Sequence, residues 1–152
     1  MKPMIVLLLA LLSGCAWNPV MTPYAYRGAE GATDGVATVW GIADQTQMYF
    51  TEVDGKGLPS RGGGGYPISL SLLPGSYTVE VYFQNFDHRY VYIDLPVTVE
   101  AGHTYRVEHR YSPDGARVGL QLKDLGTGTT CRYERYEQLT GHARLVCEPT
   151  AG

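Results

Sequence analysis

Apolar and polar residues alternate along much of this chain from Val36 onward. In one run the apolar side consists of Tyr77, Val79, Val81 and Phe83, and the opposite side consists of Thr78, Glu80, Tyr82 and Gln84. Successive side chains of a β-strand point to opposite faces, so this period of two is typical of a strand with one buried face. The pattern predicts a strand here whose apolar row faces a core.

Six other segments have the same character. They cover residues 36–42, 48–53, 68–72, 91–99, 105–111 and 118–122. Pro96 falls in the outward set of the longest run and predicts a sheet edge or a bulge, because proline cannot donate a ladder hydrogen bond. The inward positions predict a core that includes Val79, Val81, Ile93, Leu95, Val97, Leu120 and Leu122.

Turn-forming pairs separate these runs. They are Asp54-Gly55, Pro74-Gly75, Ala101-Gly102 and Asp114-Gly115. Glycine adopts positive φ without steric cost, and proline sets the φ of a turn position. No apolar stripe with helical spacing precedes residue 129. The chain is therefore predicted to form an all-β fold, an antiparallel β-sandwich of about seven to nine strands.

The N-terminus has a different pattern. Lys2 precedes an apolar run that begins at Met4 and ends in Leu12-Ser13-Gly14-Cys15. This ending resembles the lipobox of bacterial lipoproteins, in which small residues admit the signal peptidase and the cysteine thiol accepts the acyl chains. The resemblance implies a cleaved signal peptide over residues 1–14 and a lipid on Cys15. The alternatives are an ordinary secretory signal, with Cys15 as a bystander, and a retained membrane helix, which needs about 20 apolar residues.

The same resemblance implies a location. Ala16 follows the cysteine, where Gram-negative lipoproteins held in the inner membrane usually have aspartate. We therefore expect lipid anchoring in the outer membrane, with the domain in the periplasm or at the cell surface. Residues 15–33 contain prolines and glycines without sustained periodicity and are predicted to be a flexible tether. Residues 34–152 are predicted to be the β-sandwich domain.

Charge excludes one class of partner. Removal of residues 1–14 leaves 138 of the 152 residues, with 11 basic residues against 15 acidic ones. A mildly acidic chain without a basic run is a poor candidate for binding nucleic acid.

Two cysteines remain if Cys15 is lipidated. Cys131 and Cys147 would then lie in an oxidising compartment, where an even pair predicts a disulfide. Direct pairing of the two in a hairpin sets Tyr133 opposite Leu145, Glu134 opposite Arg144, and Tyr136 opposite His142. The alternative is a short helix over 132–139, because Tyr133, Tyr136 and Leu139 also fit a helical stripe.

A weaker resemblance covers residues 36–110. It depends on Val53-Asp54-Gly55-Lys56, on the segment Leu73-Pro74-Gly75-Ser76-Tyr77-Thr78-Val79, and on Ala101-Gly102-His103-Thr104-Tyr105. These motifs are similar to those of small PEGA-like envelope lipoproteins. The resemblance implies a compact β-sandwich and leaves the function open, since many such domains have no assigned activity.

Motifs for catalysis or for a cofactor are not evident. The chain lacks a G-x-S-x-G elbow and an H-E-x-x-H pair, and lipidation and oxidation would leave no free cysteine nucleophile. His103 and His109 would be separated by about 20 Å along one strand, so they cannot share a metal there. We expect no enzymatic activity, no cofactor and no metal site.

The strongest binding signal is aromatic. Tyr82, Tyr90 and Tyr92 fall on the polar side of two adjacent predicted strands, together with Asp94. Tyrosine combines an apolar ring with a polar tip, which suits protein partners and sugars. The sequence predicts an interaction module that docks on an envelope protein. A small-ligand or glycan-binding lipoprotein is the alternative, and a further one is that other segments cover these tyrosines as ordinary core.

Overall fold

The computed structural model describes residues 23–32, 34–41, 47–60, 65–135 and 143–150. This part of the chain contains eleven β-strands and no helix, so the all-β prediction is confirmed. The strands are β1 (Tyr24–Ala25), β2 (Ala37–Trp40), β3 (Gln47–Val53), β4 (Lys56–Gly57), β5 (Ser69–Leu72), β6 (Gly75–Gln84), β7 (Tyr90–Val99), β8 (His103–Tyr111), β9 (Val118–Thr127), β10 (Thr129–Arg135) and β11 (Ala143–Pro149).

The described strands form a sandwich-like arrangement with an added hairpin. One sheet has the order β1-β5-β2-β8-β9, a second has the order β4-β3-β6-β7, and β10 pairs with β11 alone. Most pairs are antiparallel, but β1 pairs with β5 and β2 pairs with β8 in parallel. Alternation carries no information on strand direction, so the parallel pairs were not predicted.

Both large sheets contribute to one core. Its buried side chains include Val39, Phe50, Leu70, Leu72, Val79, Val81, Phe83, Leu95, Val97, Val99 and Val107. Four of the predicted core residues, Val79, Val81, Leu95 and Val97, are among them. Ile93, Leu120 and Leu122 are only partly buried. They lie on β7 and β9, the outer strands of their sheets, where a neighbour covers only one side.

The predicted turn at Asp54-Gly55 joins β3 to β4. Both residues have positive φ, 50° and 68° respectively, as a two-residue hairpin turn with the strand twist requires. The carboxylate of Asp54 also accepts a hydrogen bond from the Thr78 amide at 2.9 Å. The turn is thereby tied to the neighbouring strand β6.

The folded domain begins earlier than the predicted boundary at residue 34. Tyr24 and Ala25 pair with β5, and the Tyr26 amide donates to the Ser71 carbonyl at 3.0 Å. Tyr26 is only 9% exposed, and its hydroxyl donates to the Val53 carbonyl. The end of the predicted tether is therefore part of the domain, because the open edge of β5 and the buried ring hold a segment that lacks any periodicity of its own.

The C-terminal hairpin has the predicted register. Cys131 and Cys147 form a disulfide with their Cα atoms 4.1 Å apart. Tyr133 lies opposite Leu145, and Glu134 lies opposite Arg144. The helical alternative is wrong for Arg132–Arg135, which belong to β10. The predicted pair of Tyr136 and His142 lies outside the described residues.

Candidate binding face

The outer surface of the four-stranded sheet carries the predicted tyrosines. Val79, Val81 and Phe83 of β6 point into the core, so Tyr82 points outward. Tyr82 pairs directly with Tyr92 of β7, and paired residues of antiparallel strands share a face. Tyr90 lies opposite Gln84, one step nearer the end of the same hairpin.

The rings of these residues contact one another. The Tyr82 ring stacks on that of Tyr90, with centroids 5.6 Å apart, and meets the edge of Tyr92 at 5.3 Å. Tyr90 and Tyr92 are also edge to face, at 6.3 Å. Stacked and edge-to-face geometries are those that aromatic pairs prefer. The three rings therefore form one contiguous group.

A fourth tyrosine extends the group across β3. Tyr49 pairs with Tyr82, and their ring centroids are 5.9 Å apart. We call the surface formed by Tyr49, Tyr82, Tyr90 and Tyr92 the tyrosine face. The sequence prediction missed Tyr49, although its place between the inward Met48 and Phe50 could have identified it.

The tyrosine face is open to solvent at β7. Tyr90 is 64% exposed and Tyr92 is 53% exposed, whereas Tyr82 and Tyr49 are half-buried. Among the described residues, Tyr66 also lies near Tyr92, where, after desolvation and Tyr82, it contributes to the raised pKa of Tyr92. The described part of the C-terminal hairpin packs its Tyr133 ring against Trp40, with centroids 5.5 Å apart.

Three carboxylates lie beside the tyrosines on the same surface. Glu52 of β3 pairs with Glu80 of β6, and Glu80 pairs with Asp94 of β7. We call these three residues the carboxylate row. A bulge between Phe50 and Glu52 keeps Glu52 in line with Glu80. Like charges directly opposite each other destabilise a sheet, so this row is not explained by stability.

Glu80 is held in place by a neighbour. The hydroxyl of Thr51, at the bulge, donates to Glu80 Oε1 at 2.6 Å. Thr51 itself is buried. Asp94 is exposed, as the sequence predicted. The row therefore combines a fixed carboxylate at its centre with an accessible one at its end.

Tyr49 and Tyr92 hold their hydroxyl protons more tightly than an ordinary tyrosine does. Partial desolvation by neighbouring groups, followed by the negative potential of Tyr82, raises the pKa of both Tyr92 and Tyr49. Neutral phenols present uncharged ring faces and hydroxyl donors. The charge of this surface thus comes from the carboxylate row.

Comparisons of the chain with protein families, with curated proteins and with solved structures give no match. The functional proposal therefore depends on the geometry of the tyrosine face.

A shallow depression of about 320 Å³ lies at the opposite end of β6 and β7. It is lined by Asp54, Ser76, Tyr77, Thr78, Pro96, Val97 and Thr98. Its polar groups are already engaged, because the Tyr77 hydroxyl donates to the Leu73 carbonyl and Asp54 accepts from Thr78. The depression therefore lacks the free, converging polar groups of a ligand site.

The remaining sequence predictions concern the lipidated cysteine, metal binding and a membrane helix. Cys15 lies outside the described residues. Among the residues that are described, no three His, Cys, Asp or Glu side chains are grouped as a metal ion would require. Within the same residues, no helix has the length and apolarity needed to cross a membrane.

Proposed function

We propose that this protein is a lipid-anchored cell-envelope module, without catalytic activity, that docks on another envelope protein through the tyrosine face. The observation that carries the proposal is the group of mutually packed tyrosines that remains exposed at β7. Tyrosine is enriched among the residues that dominate binding energy at protein interfaces. Rings already held by their neighbours lose little freedom on binding, which favours association.

The lipobox supports the anchored part of the proposal. If Cys15 carries the lipid, eight residues separate it from Tyr24, the first residue of β1. Even if these residues are fully extended, Cys15 and Tyr24 are at most about 30 Å apart. The domain would be held close to the membrane, so the partner is expected to be a membrane protein or a component at the membrane surface.

The shape of the face favours a protein over a small ligand. A ligand or glycan site needs a concave surface with a few converging polar groups. The tyrosine face is an open sheet surface, and the depression at the other end of the hairpin has its polar groups internally bonded.

Site-specific photocrosslinking in cells tests the docking face. A photoreactive phenylalanine analogue would replace Tyr90 or Tyr92, and Arg117, which lies in the exposed turn before β9, would serve as the control position. We expect a discrete protein adduct from positions 90 and 92 that position 117 does not give. Adducts identical at all three positions, or adducts to carbohydrate alone, would contradict the proposal.

A further inference from the structure

We infer that the partner presents lysine or arginine side chains to the tyrosine face, where the carboxylate row receives them. The inference rests on the proposed docking function and adds the chemistry of the partner. It follows from the direct opposition of three carboxylates on paired strands and from the place of this row beside four tyrosine rings.

Five other described acidic residues have a basic group within 4.0 Å, namely Glu100, Glu108, Asp124, Glu134 and Glu148. Glu30, Asp34, Asp54, Asp87 and Asp114 have none among the described residues, so an unpaired carboxylate by itself is not unusual in this fold. Glu108 pairs with Arg106 and lies 3.6 Å from the Lys123 ammonium. In the hairpin, Arg132 contacts Glu134 at 2.7 Å and Glu148 at 2.8 Å. In both places the basic side chains belong to the same strand as the carboxylate or to the neighbouring strand.

The carboxylate row differs from the other carboxylates because its members occupy directly paired positions on three strands. Among the described residues, Glu52, Glu80 and Asp94 have no basic group within 4.0 Å. What distinguishes the row is the direct opposition of like charges, which destabilises a sheet and which basic side chains of a partner would relieve.

The adjacent rings select the kind of cation. An ammonium or guanidinium group is attracted to the face of a tyrosine ring within about 6 Å, and a carboxylate beside the ring adds a direct ion pair. Tyr82 lies two residues from Glu80, and Tyr92 lies two residues from Asp94, on the same outer face of their strands. Basic side chains of a protein segment laid across β6 and β7 would meet both kinds of group. Nucleic acid and anionic lipid would be repelled by the same carboxylates.

Defined peptides test this inference on the full-length protein in detergent micelles. The probes are fluorescent peptides that alternate glycine with lysine, with arginine, or with glutamate, and binding is measured by fluorescence anisotropy. The variant Glu80→Gln with Asp94→Asn removes two charges from the row. The variant Glu30→Gln with Asp34→Asn removes two charges from the exposed loop before β2 and is the matched control.

We expect both basic peptides to bind and the glutamate peptide not to bind. Neutralising the row should weaken binding roughly tenfold, as the loss of two exposed charge contacts beside aromatic rings implies. The control variant should bind as the wild type does, and added salt should weaken wild-type binding. Equal binding by the wild type and by the row variant would overturn the inference, as would equal losses in both double variants.

Two outcomes of the photocrosslinking experiment distinguish failure of this inference from failure of the proposed function. If the adducts from positions 90 and 92 persist in the Glu80→Gln, Asp94→Asn background, the docking face stands and the cationic partner is wrong. If the wild type gives no adducts from those positions, the docking function itself is wrong. Vesicles of phosphatidylethanolamine test a lipid amine as the source of the cation, and binding to them without binding to the peptides would overturn a protein partner.

Discussion

Leu95 lies in the core, whereas its neighbour Asp94 lies at the end of the carboxylate row. One peptide bond separates the two environments because a strand directs successive side chains to opposite faces. Substitutions at these positions should therefore have different consequences, although the residues are adjacent in sequence.

Replacement of Leu95 by alanine should destabilise the domain by about 2–5 kcal/mol, because it removes buried methyl groups and leaves a cavity. Gln84→Ala, on the outer face of β6, is the control and should change stability by less than about 0.5 kcal/mol. Thermal and urea unfolding of the two variants make the comparison. Equal midpoints would show that Leu95 does not face the core.

Glu108 should make stability depend on pH in the acidic range. The hydrogen bond from Arg106 holds the pKa of this carboxyl below its ordinary value. A lowered pKa in the folded state means that the unfolded chain takes up the proton more readily. The resulting stabilisation is present at neutral pH and is lost as the pH falls from about 5 through the lowered pKa.

Urea unfolding of the wild type and of Glu108→Gln at pH 7 and pH 3 checks this dependence. The wild type should lose about 1 kcal/mol more than the variant between these pH values. Asp34→Asn, at an exposed loop position, should follow the wild type. Parallel pH profiles for the wild type and Glu108→Gln would contradict the assignment.

At the scale of elements, the hairpin of β10 and β11 is attached to the sandwich through few contacts. The Tyr133 hydroxyl donates to the Gly41 carbonyl, and its ring packs on Trp40. Burial raises the pKa of Tyr133, so the hydroxyl remains a donor throughout the physiological range. Within the hairpin, the disulfide joins the two strands at directly paired positions.

The double variant Cys131→Ser, Cys147→Ser should unfold at lower temperature than the wild type. Closing a loop of this size stabilises the folded state by about 3 kcal/mol in the chain-entropy model, because it restricts the unfolded chain. Calorimetry of the oxidised wild type, the reduced wild type and the variant makes the test. The reduced wild type should resemble the variant, and a variant as stable as the oxidised protein would contradict the prediction.

At the scale of the whole molecule, the proposed anchor and the proposed docking face impose a common geometry. The domain starts at Tyr24, so the segment between it and Cys15 is shorter than a tether ending at residue 33 would be. A partner on the tyrosine face would be reached close to the membrane. Loss of the anchor should then impair docking even though the face is unchanged.

Cys15→Ser should leave the precursor unprocessed or release the protein from the membrane, because the thiol that accepts the lipid is absent. Labelling of cells with a palmitate analogue, followed by fractionation, measures both effects. Stable anchoring needs more than one acyl chain, so partial labelling should give partial release. Wild-type protein that carries no label would contradict lipidation at this position.

The sequence by itself determined the positions of the main strands and four of the seven predicted core residues, and it gave the correct register for one of two alternatives at the C-terminal segment. These features depend on local periodicity, on turn residues and on the spacing of two cysteines, all of which can be recognised in the sequence. It also placed Tyr82, Tyr90, Tyr92 and Asp94 on one face, since a single hairpin fixes their relation.

The tertiary structure alone decided features that depend on contacts between distant segments. The parallel pairing of β2 with β8, and the inclusion of Tyr24–Tyr26 in the domain, arise from which strand edges are open for pairing. The exposure of Tyr90 depends on what the other segments leave uncovered. The carboxylate row needed the register of three strands and the bulge in β3, which no local pattern specifies.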